Sequence, residues 1–362
     1  HEFGDKVLIE IANKLKDDFD EVARIGADEF VILTTSDNLE EKISLLNSIK
    51  YKRFLINETY ITVTFYIGIL TLNKDIDLLK ECDLSISMAK NSKNNIAFYD
   101  EELEKEILEE FQILEELKSA LKNRKLTLFY QLQYKFDESI YGAEALIRWI
   151  HPKKGIVPPF KFIPVAEKSD LIVEIGDFVL EEGIKRLSLW QQNEKTKNWV
   201  LAVNVSSKQF DDSLIFKLDN LIKKYKINPS KLKIELLESM LFENTKEVIN
   251  RMHKIRNLGV KISLDDFGTG FSSLQYLTTL PINQVKIDQS FVFNMFKNKK
   301  NLIIIKSILS LGKDLGMSVI AEGVETKEHF EKLKELGCEL FQGYYFAKPE
   351  PIEKIEEKIK RI

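Results

Sequence analysis

Ten polar residues interrupt or end apolar runs in the later two thirds of the chain. They are Glu144, Asn204, Glu235, Asp265, Asp266, Lys286, Asp288, Glu322, Glu325 and Gln342. Runs of this kind are where core strands are read, and a carboxylate buried in one is costly unless it is paired or bound to a metal. One such residue alone is most often a satisfied core polar group. Seven acids with one lysine, one asparagine and one glutamine, drawn from seven successive runs, have instead the composition of a metal site. All-oxygen ligands suit Mg2+ or Mn2+ better than Zn2+. Two such ions serve in-line phosphoryl chemistry: they activate water, neutralise the phosphate and stabilise the leaving oxygen.

The stretch ISLDDFGTGFSSL, residues 262–274, poses the geometric problem most sharply. Side chains alternate across a strand, so adjacent Asp265 and Asp266 cannot both face one site if the strand simply continues. They converge if the strand ends there and Gly268 and Gly270 let the backbone turn. A turn carrying a solvated acid pair is the alternative reading of this stretch taken alone.

The elements that must position these residues follow from periodicity. From residue 125 onward, strand patterns alternate with helical ones: KLTLFYQLQYKF, YGAEALIRWI, WVLAVNVS, LKIELLES, KISLDDFG, QVKIDQSFV, SVIAEGVE and LFQGYYFA. Eight strands in a segment of this length predict a (β/α)8 TIM-like barrel, with functional groups at the C-terminal strand ends. Residues 1–99 predict a smaller α/β unit. GDKVLIEIANKLK is an amphipathic helix, EVARIGADEFVILT reads as two short strands about a turn at Gly26–Asp28, TYITVTFYIGIL reads as one strand, and DIDLLKECDLSISMAKNS is a helix. Between them, residues 100–124 predict a charged helix with one narrow apolar stripe at 103, 107, 111, 114, 117 and 121. It is either a connecting helix lying on one domain or a dimer seam.

Bulk properties narrow the function classes. The chain has 362 residues, 44% hydrophobic and 30% charged, with a formal net charge of −4. That fits a globular protein of two or three domains and excludes a global basic field for gripping DNA or RNA. No apolar run is long enough to span a bilayer, so no membrane contact by this segment is expected. Cys82 and Cys338 match no metal-ligand spacing and read as reduced thiols of a cytoplasmic protein. The chain opens at His1 inside an apparent helix, so it reads as part of a longer protein whose earlier residues would carry the input signal.

Residues 125–362 resemble the EAL domain, a cyclic di-GMP phosphodiesterase. The resemblance rests on EALIRW (144–149), NVS (204–206), IELLES (234–239), DDFGTGFSSL (265–274), VKIDQSFV (285–292), AEGVE (321–325) and QGYYFAKP (342–349), in the family's order. It implies hydrolysis of cyclic di-GMP to linear pGpG with two Mg2+ or Mn2+ ions. The metal ligands it implies are Glu144, Asn204, Glu235, Asp265, Asp266 and Glu322. Glu144, Lys286 and Glu325 form the implied catalytic set, with Lys286 on the attacking water or the phosphate. Arg148, Asp288 and Gln342 would meet the substrate, Glu238 and Glu325 would brace the DDFGTG loop, and Pro159 and Phe160 would be packing residues. The family packs a second barrel on the same face, which implies a homodimer. Leu237 stands where the family has Thr, and Leu132 where it has Pro. A non-catalytic cyclic di-GMP receptor or signalling scaffold is the alternative.

Residues 1–99 resemble the C-terminal part of a GGDEF, or diguanylate cyclase, domain, on HEFGDKVL and RIGADEFVIL. Ala27 replaces the second signature glycine, Asn94 replaces an arginine, and the arginine of the inhibitory site would fall at Asp17, with Asp20 kept. An added Cβ at Ala27 disfavours close approach of a phosphate. The resemblance therefore implies an inactive regulatory or scaffold unit, with GTP as its candidate ligand and Lys90, Asp28 and Glu29 retained.

Overall fold

The computed structural model describes residues 2–35, 37, 39–50, 53–56, 59–71, 78–92, 94–99, 101–241, 245–268 and 278–361. They form two compact units, residues 1–109 and 110–362. In the first, the helix Glu2–Asp18 buries Ile11 and Leu15 against Phe19, Ile49 and Phe54. The antiparallel hairpin of Glu21–Arg24 and Phe30–Leu33 closes with the Ile25 amide donating to the Glu29 carbonyl at 3.1 Å. Arg24 stiffens that turn, its guanidinium donating to the Gly26 and Ala27 carbonyls. The β-branched run at 59–70 is not one strand. It divides into Thr59–Thr62, antiparallel to Arg53–Ile56, and Ile67–Ile69, parallel to Ile96–Phe98. Leu78–Asn91 is helical, and residues 75–77 of that predicted helix lie outside the described residues.

The second unit is a closed eight-stranded barrel. Its strands are β1 (Leu126–Lys135), β2 (Ile140–His151), β3 (Val200–Asn204), β4 (Leu232–Leu237), β5 (Lys261–Phe267), β6 (Gln284–Ile287), β7 (Ser318–Ala321) and β8 (Leu340–Phe341). Each pairs with the next, and β8 pairs back to β1. From β2 to β8 the strands run parallel, but β1 is antiparallel to both β2 and β8. The alternation of strand and helix does not extend to this first connection. Only residues 136–139 separate β1 from β2, and a parallel pair needs a crossover of a dozen or more. Glu138 turns the corner at φ +61°, and Asp137 Oδ1 accepts from the Ser139 amide at 3.0 Å.

Helices wrap the outside, and their apolar faces follow the 3.6-residue period. Leu171–Gln191 buries Leu171, Ile175, Val179, Leu180, Ile184, Leu187 and Trp190 on one stripe. Each such side chain contributes about 1.5–3 kcal/mol by leaving water. Asp211 caps Asp212–Tyr225 by accepting from the Leu214 amide at 3.1 Å. Among the described residues, no helix is long and apolar enough to cross a membrane.

The charged helix spans Glu101–Lys122. Its predicted stripe is divided: Leu117 is buried against the barrel, whereas Phe111 is 61% exposed. Phe160, expected to pack, opens the helix Pro159–Lys168 and is 73% exposed. Several predicted strands also end early, among them those that stop at Ile287 and Phe341. Residues 289–293 are a short helix capped by Asp288, and after Phe341 the chain turns rather than extends. In both cases the strand stops one residue before a predicted site residue, Asp288 or Gln342.

Candidate active site

Seven strands deliver the predicted residues to the barrel interior and its rim. Glu144 sits mid-strand on β2, opposite Gln131 of β1, and is buried. Its Oε1 accepts from Asn204 Nδ2 at 2.6 Å and its Oε2 from Gln342 Nε2 at 2.6 Å. Asn204 pairs in register with Glu235 on β4, so one parallel ladder fixes both. Gln342 is held in turn by Gln133, which donates to its Oε1 at 2.8 Å, and by Gln131 Oε1, which accepts from its Nε2 at 3.0 Å.

The acid pair on β5 converges by a different device from the one expected. The strand does not end at Asp265; it continues through Phe267. The register to β6 pairs Leu264 with Val285 and Phe267 with Ile287, so Asp265 and Asp266 together oppose Lys286 alone. This is a β-bulge, which bends a strand and re-aims a side chain. Asp266 takes φ +54°, a left-handed conformation that Asp adopts more readily than most residues. The Asp266 amide donates to Asp265 Oδ1 at 2.9 Å. Gly268 follows at φ +96°, and Gly270 lies outside the described residues, as does the rest of the predicted loop through Leu274.

Lys286 is the hub. Its Nζ lies 2.7 Å from Glu235 Oε2, 2.8 Å from Glu322 Oε1, 3.1 Å from Asp265 Oδ2 and 3.6 Å from Glu144 Oε2, and its side chain is 1% exposed. Burial alone would lower its pKa, but the surrounding carboxylates, Glu144 foremost, raise it well above the ordinary lysine value. One ammonium does not satisfy the acids. Burial, reinforced by the charges of Glu144 and Asp265, pushes Glu235 up to about 7 against the pull of Lys286. Burial also pushes Asp266 up to about 6, with Asp265 and Asp288 adding repulsion. Glu322 rises for the same reason, burial first. Glu144 goes the other way: burial opposes its ionisation, but Lys286 and the hydrogen bonds from Gln342 and Asn204 outweigh it.

This donor set fits divalent cations. Oxygens of Asp265, Asp266 and Glu322 lie within 4.8 Å of one another. Glu235 Oε1 is buried with no hydrogen-bond donor among the described residues, a valence of the kind a cation fills. The excess of acids over ammonium groups supplies the electrostatic demand.

The remaining predicted residues lie around this centre. Asp288 adjoins Asp266 and caps the helix Gln289–Phe293, accepting from the Ser290 amide at 3.0 Å. Arg148 stands two positions beyond Leu146 on β2, with its guanidinium 5.6 Å from the Phe129 ring centroid and Nη1 donating to the Ile147 carbonyl at 2.8 Å. Glu238, buried, accepts from the Gly268 amide at 2.9 Å. Glu325 is exposed, and the structure brings it beside His329 rather than into the acid cluster. Leu132 is fully buried and Leu237 is 39% exposed.

Sequence reasoning missed Gln131, Gln133, Lys233, Ser263 and Gln284, all buried. Their signal was present. Lys233, Ser263 and Gln284 each lie two residues before a predicted site residue on the same strand, and so face the same side.

Both units of the chain match known families. A family model described as the EAL domain matches residues 114–349, and one described as the diguanylate cyclase, GGDEF domain matches residues 1–96. The chain is 33% identical over 369 residues to the bifunctional diguanylate cyclase/cyclic di-GMP phosphodiesterase MucR of Pseudomonas aeruginosa, covering 98% of this chain and 54% of that protein. It is 31% identical over 373 residues to the cyclic di-GMP phosphodiesterase PdeR of Escherichia coli, covering 100% of this chain and 56% of that protein. The chain thus spans about half the length of the curated relatives it matches. Among solved structures, the PaMucR phosphodiesterase in complex with c-di-GMP superposes with a TM-score of 0.66 at 37% identity, covering 67% of this chain and 99% of that one. An EAL domain protein from Listeria monocytogenes gives 0.59 at 32% identity, covering 67% and 96%.

Proposed function

Because this chain belongs to the EAL domain family, we propose that its barrel hydrolyses cyclic di-GMP to linear pGpG with two Mg2+ or Mn2+ ions. The observation that carries this reading is the convergence of Glu144, Glu235, Asp265 and Glu322 on one buried ammonium, with Asp266 alongside. Those five acids and Asn204 would hold the ions. When bound, the ions supply Lewis acidity toward the phosphate and lower the pKa of water.

The chain's own residues do the rest. Gln342 and Asn204 each fix one oxygen of Glu144, so that carboxylate is oriented before any ligand arrives. Lys286, buried among Glu144, Glu235, Asp265 and Glu322, would offer its ammonium to the attacking water or a phosphate oxygen. Arg148 has the planar fork suited to a phosphate at the barrel mouth. One P–O bond forms to the water oxygen as the bond to the 3′ oxygen breaks, and that oxygen leaves with a proton. Asp288 sits next to Asp266, and Glu238 holds the turn after it. Glu325 is read as acting on the loop beyond Gly268, and the same face as pairing two barrels into a homodimer. The N-terminal unit is read as a regulatory or scaffold module that binds GTP without cyclising it.

The test is incubation of the purified chain with cyclic di-GMP and Mg2+ or Mn2+, followed by product chromatography. The expected product is pGpG, absent with EDTA and absent in Glu144→Ala. Tight binding without turnover would replace this reading with that of a receptor.

A further inference from the structure

The acid cluster rests on a second polar layer that the proposed reaction does not use. Lys233, on β4 two residues before Glu235, is 1% exposed. Its ammonium donates to Gln284 Oε1 on β6. Ser263 Oγ on β5 donates to the same oxygen at 3.3 Å, and Gln284 Nε2 donates to Ser318 Oγ on β7 at 3.1 Å. Residues of four consecutive strands thus fix one buried cation in the barrel floor. A lysine is seldom buried unless it is paired, because desolvating its charge is costly. Here the nearest carboxylate is Glu235: Lys233 Nζ lies 3.7 Å from Glu235 Oε1, the oxygen that no donor reaches. Glu235 Oε2 is taken by Lys286 at 2.7 Å. The two lysines therefore flank the carboxylate, one at each oxygen.

Their situations differ. Lys286 has three protons to share among four carboxylates, contacts that cations bound to those acids would compete for. Lys233 is held by the amide of Gln284, away from that competition. We propose that Lys233 is a positioning residue: clamped in the barrel floor by Gln284, it keeps the Glu235 carboxylate aimed at the ion site while Lys286 changes partners. The inference rests on the hydrolase reading only for its catalytic consequence; its consequence for cation binding does not need substrate.

The test uses the full chain carrying Lys233→Met, and separately Gln284→Met, which keeps the ammonium and removes its anchor. Mn2+ binding without substrate is read from the free-ion electron paramagnetic resonance signal, and turnover of cyclic di-GMP is measured in parallel. Lys233→Met is expected to weaken Mn2+ binding and lower kcat, each by roughly 10–100-fold, with KM within about twofold, as loss of an outer partner of a ligand does. Gln284→Met moves both in the same direction by less. A role through charge alone gives the opposite sign, since deleting a positive charge beside the ion site tightens Mn2+. Unchanged or tighter Mn2+ binding in folded Lys233→Met overturns the proposal. Should that variant fail to fold, unchanged Mn2+ binding in Gln284→Met overturns it equally. Absence of turnover in the parent chain would sink the hydrolase reading, while the Mn2+ titration would still decide Lys233.

Discussion

Glu238→Ala offers a sharp test of how the site is held, because it removes no residue of the acid cluster. Glu238 is 3% exposed, and its Oε2 accepts from the Gly268 amide at 2.9 Å. Gly268 is two residues past Asp266, at φ +96°, so the bond fixes the exit from the bulge that brings Asp265 and Asp266 together. A hydrogen bond to a charged partner contributes about 1.5–3 kcal/mol net. At about 1.4 kcal/mol per tenfold, its loss shifts the balance between the fixed and released turn by roughly 10–150-fold. At limiting Mg2+, turnover of cyclic di-GMP by Glu238→Ala is expected to fall by up to that factor. The Mg2+ concentration for half-maximal rate should rise, and saturating Mg2+ should recover part of the loss. Glu238→Gln keeps an acceptor of the same reach without the charge. Neutral hydrogen bonds are about half as strong as charge-assisted ones, so this variant should fall between parent and Glu238→Ala. Parent-like rates for Glu238→Ala across the Mg2+ series would refute the bracing argument. Equal losses in both variants would assign the effect to charge and refute its geometric part.

Two further outcomes follow from the same charges, and a third from the N-terminal unit. Lys286→Met leaves four carboxylates around an empty centre; breaking a buried pair in this way costs about 3–5 kcal/mol, so chelator-treated protein should melt at a clearly lower temperature, with turnover reduced by orders of magnitude. Asp266→Asn keeps a residue suited to φ +54° and removes a charge that Asp265 and Asp288 oppose. Its metal-free form should therefore melt higher than the parent's, while the melting increment from Mg2+, about 2.7 kcal/mol at a hundredfold excess over Kd in the parent, shrinks. The chain incubated with GTP and Mg2+ should form no cyclic di-GMP, read by the same chromatography, because Ala27 adds a Cβ to the signature turn; a dinucleotide product would overturn the reading of that residue.

The barrel was legible because eight strand patterns alternate with helical ones over the span from residue 125 onward. The reversed first strand was not read from periodicity, and its signal lies in loop length. Four residues between β1 and β2 permit only a hairpin, and Asp137 with Ser139 supplies its turn chemistry. Periodicity failed at 59–70, where alternating β-branched residues continue across a break. There, pairing with two different partner strands decides where each strand ends, and pairing is non-local information. It failed again after Ile287, where Asp288 caps a short helix in place of further strand.

The acid pair shows why the site itself was only partly legible. Alternation forbids two neighbouring aspartates from sharing a site on a regular strand, and the reasonable inference was a strand end followed by a glycine turn. The chain instead keeps the strand and inserts one residue against Lys286. A non-glycine residue in the left-handed region costs about 1–2 kcal/mol, least for Asn and Asp, and this cost joins the burial that, reinforced by neighbouring acids, lifts Asp266 and Glu235. Such a conformation persists only where its surroundings fix it. Here the fixing contacts are the Asp266 amide on Asp265, the Gly268 amide on Glu238, and Lys286 opposite the bulge. Two of those three link residues 21 and 30 positions apart in sequence. The aspartates are readable in order along the chain, but the contacts that let both face inward come from neighbouring strands, and a divalent cation would relieve the repulsion those contacts leave behind.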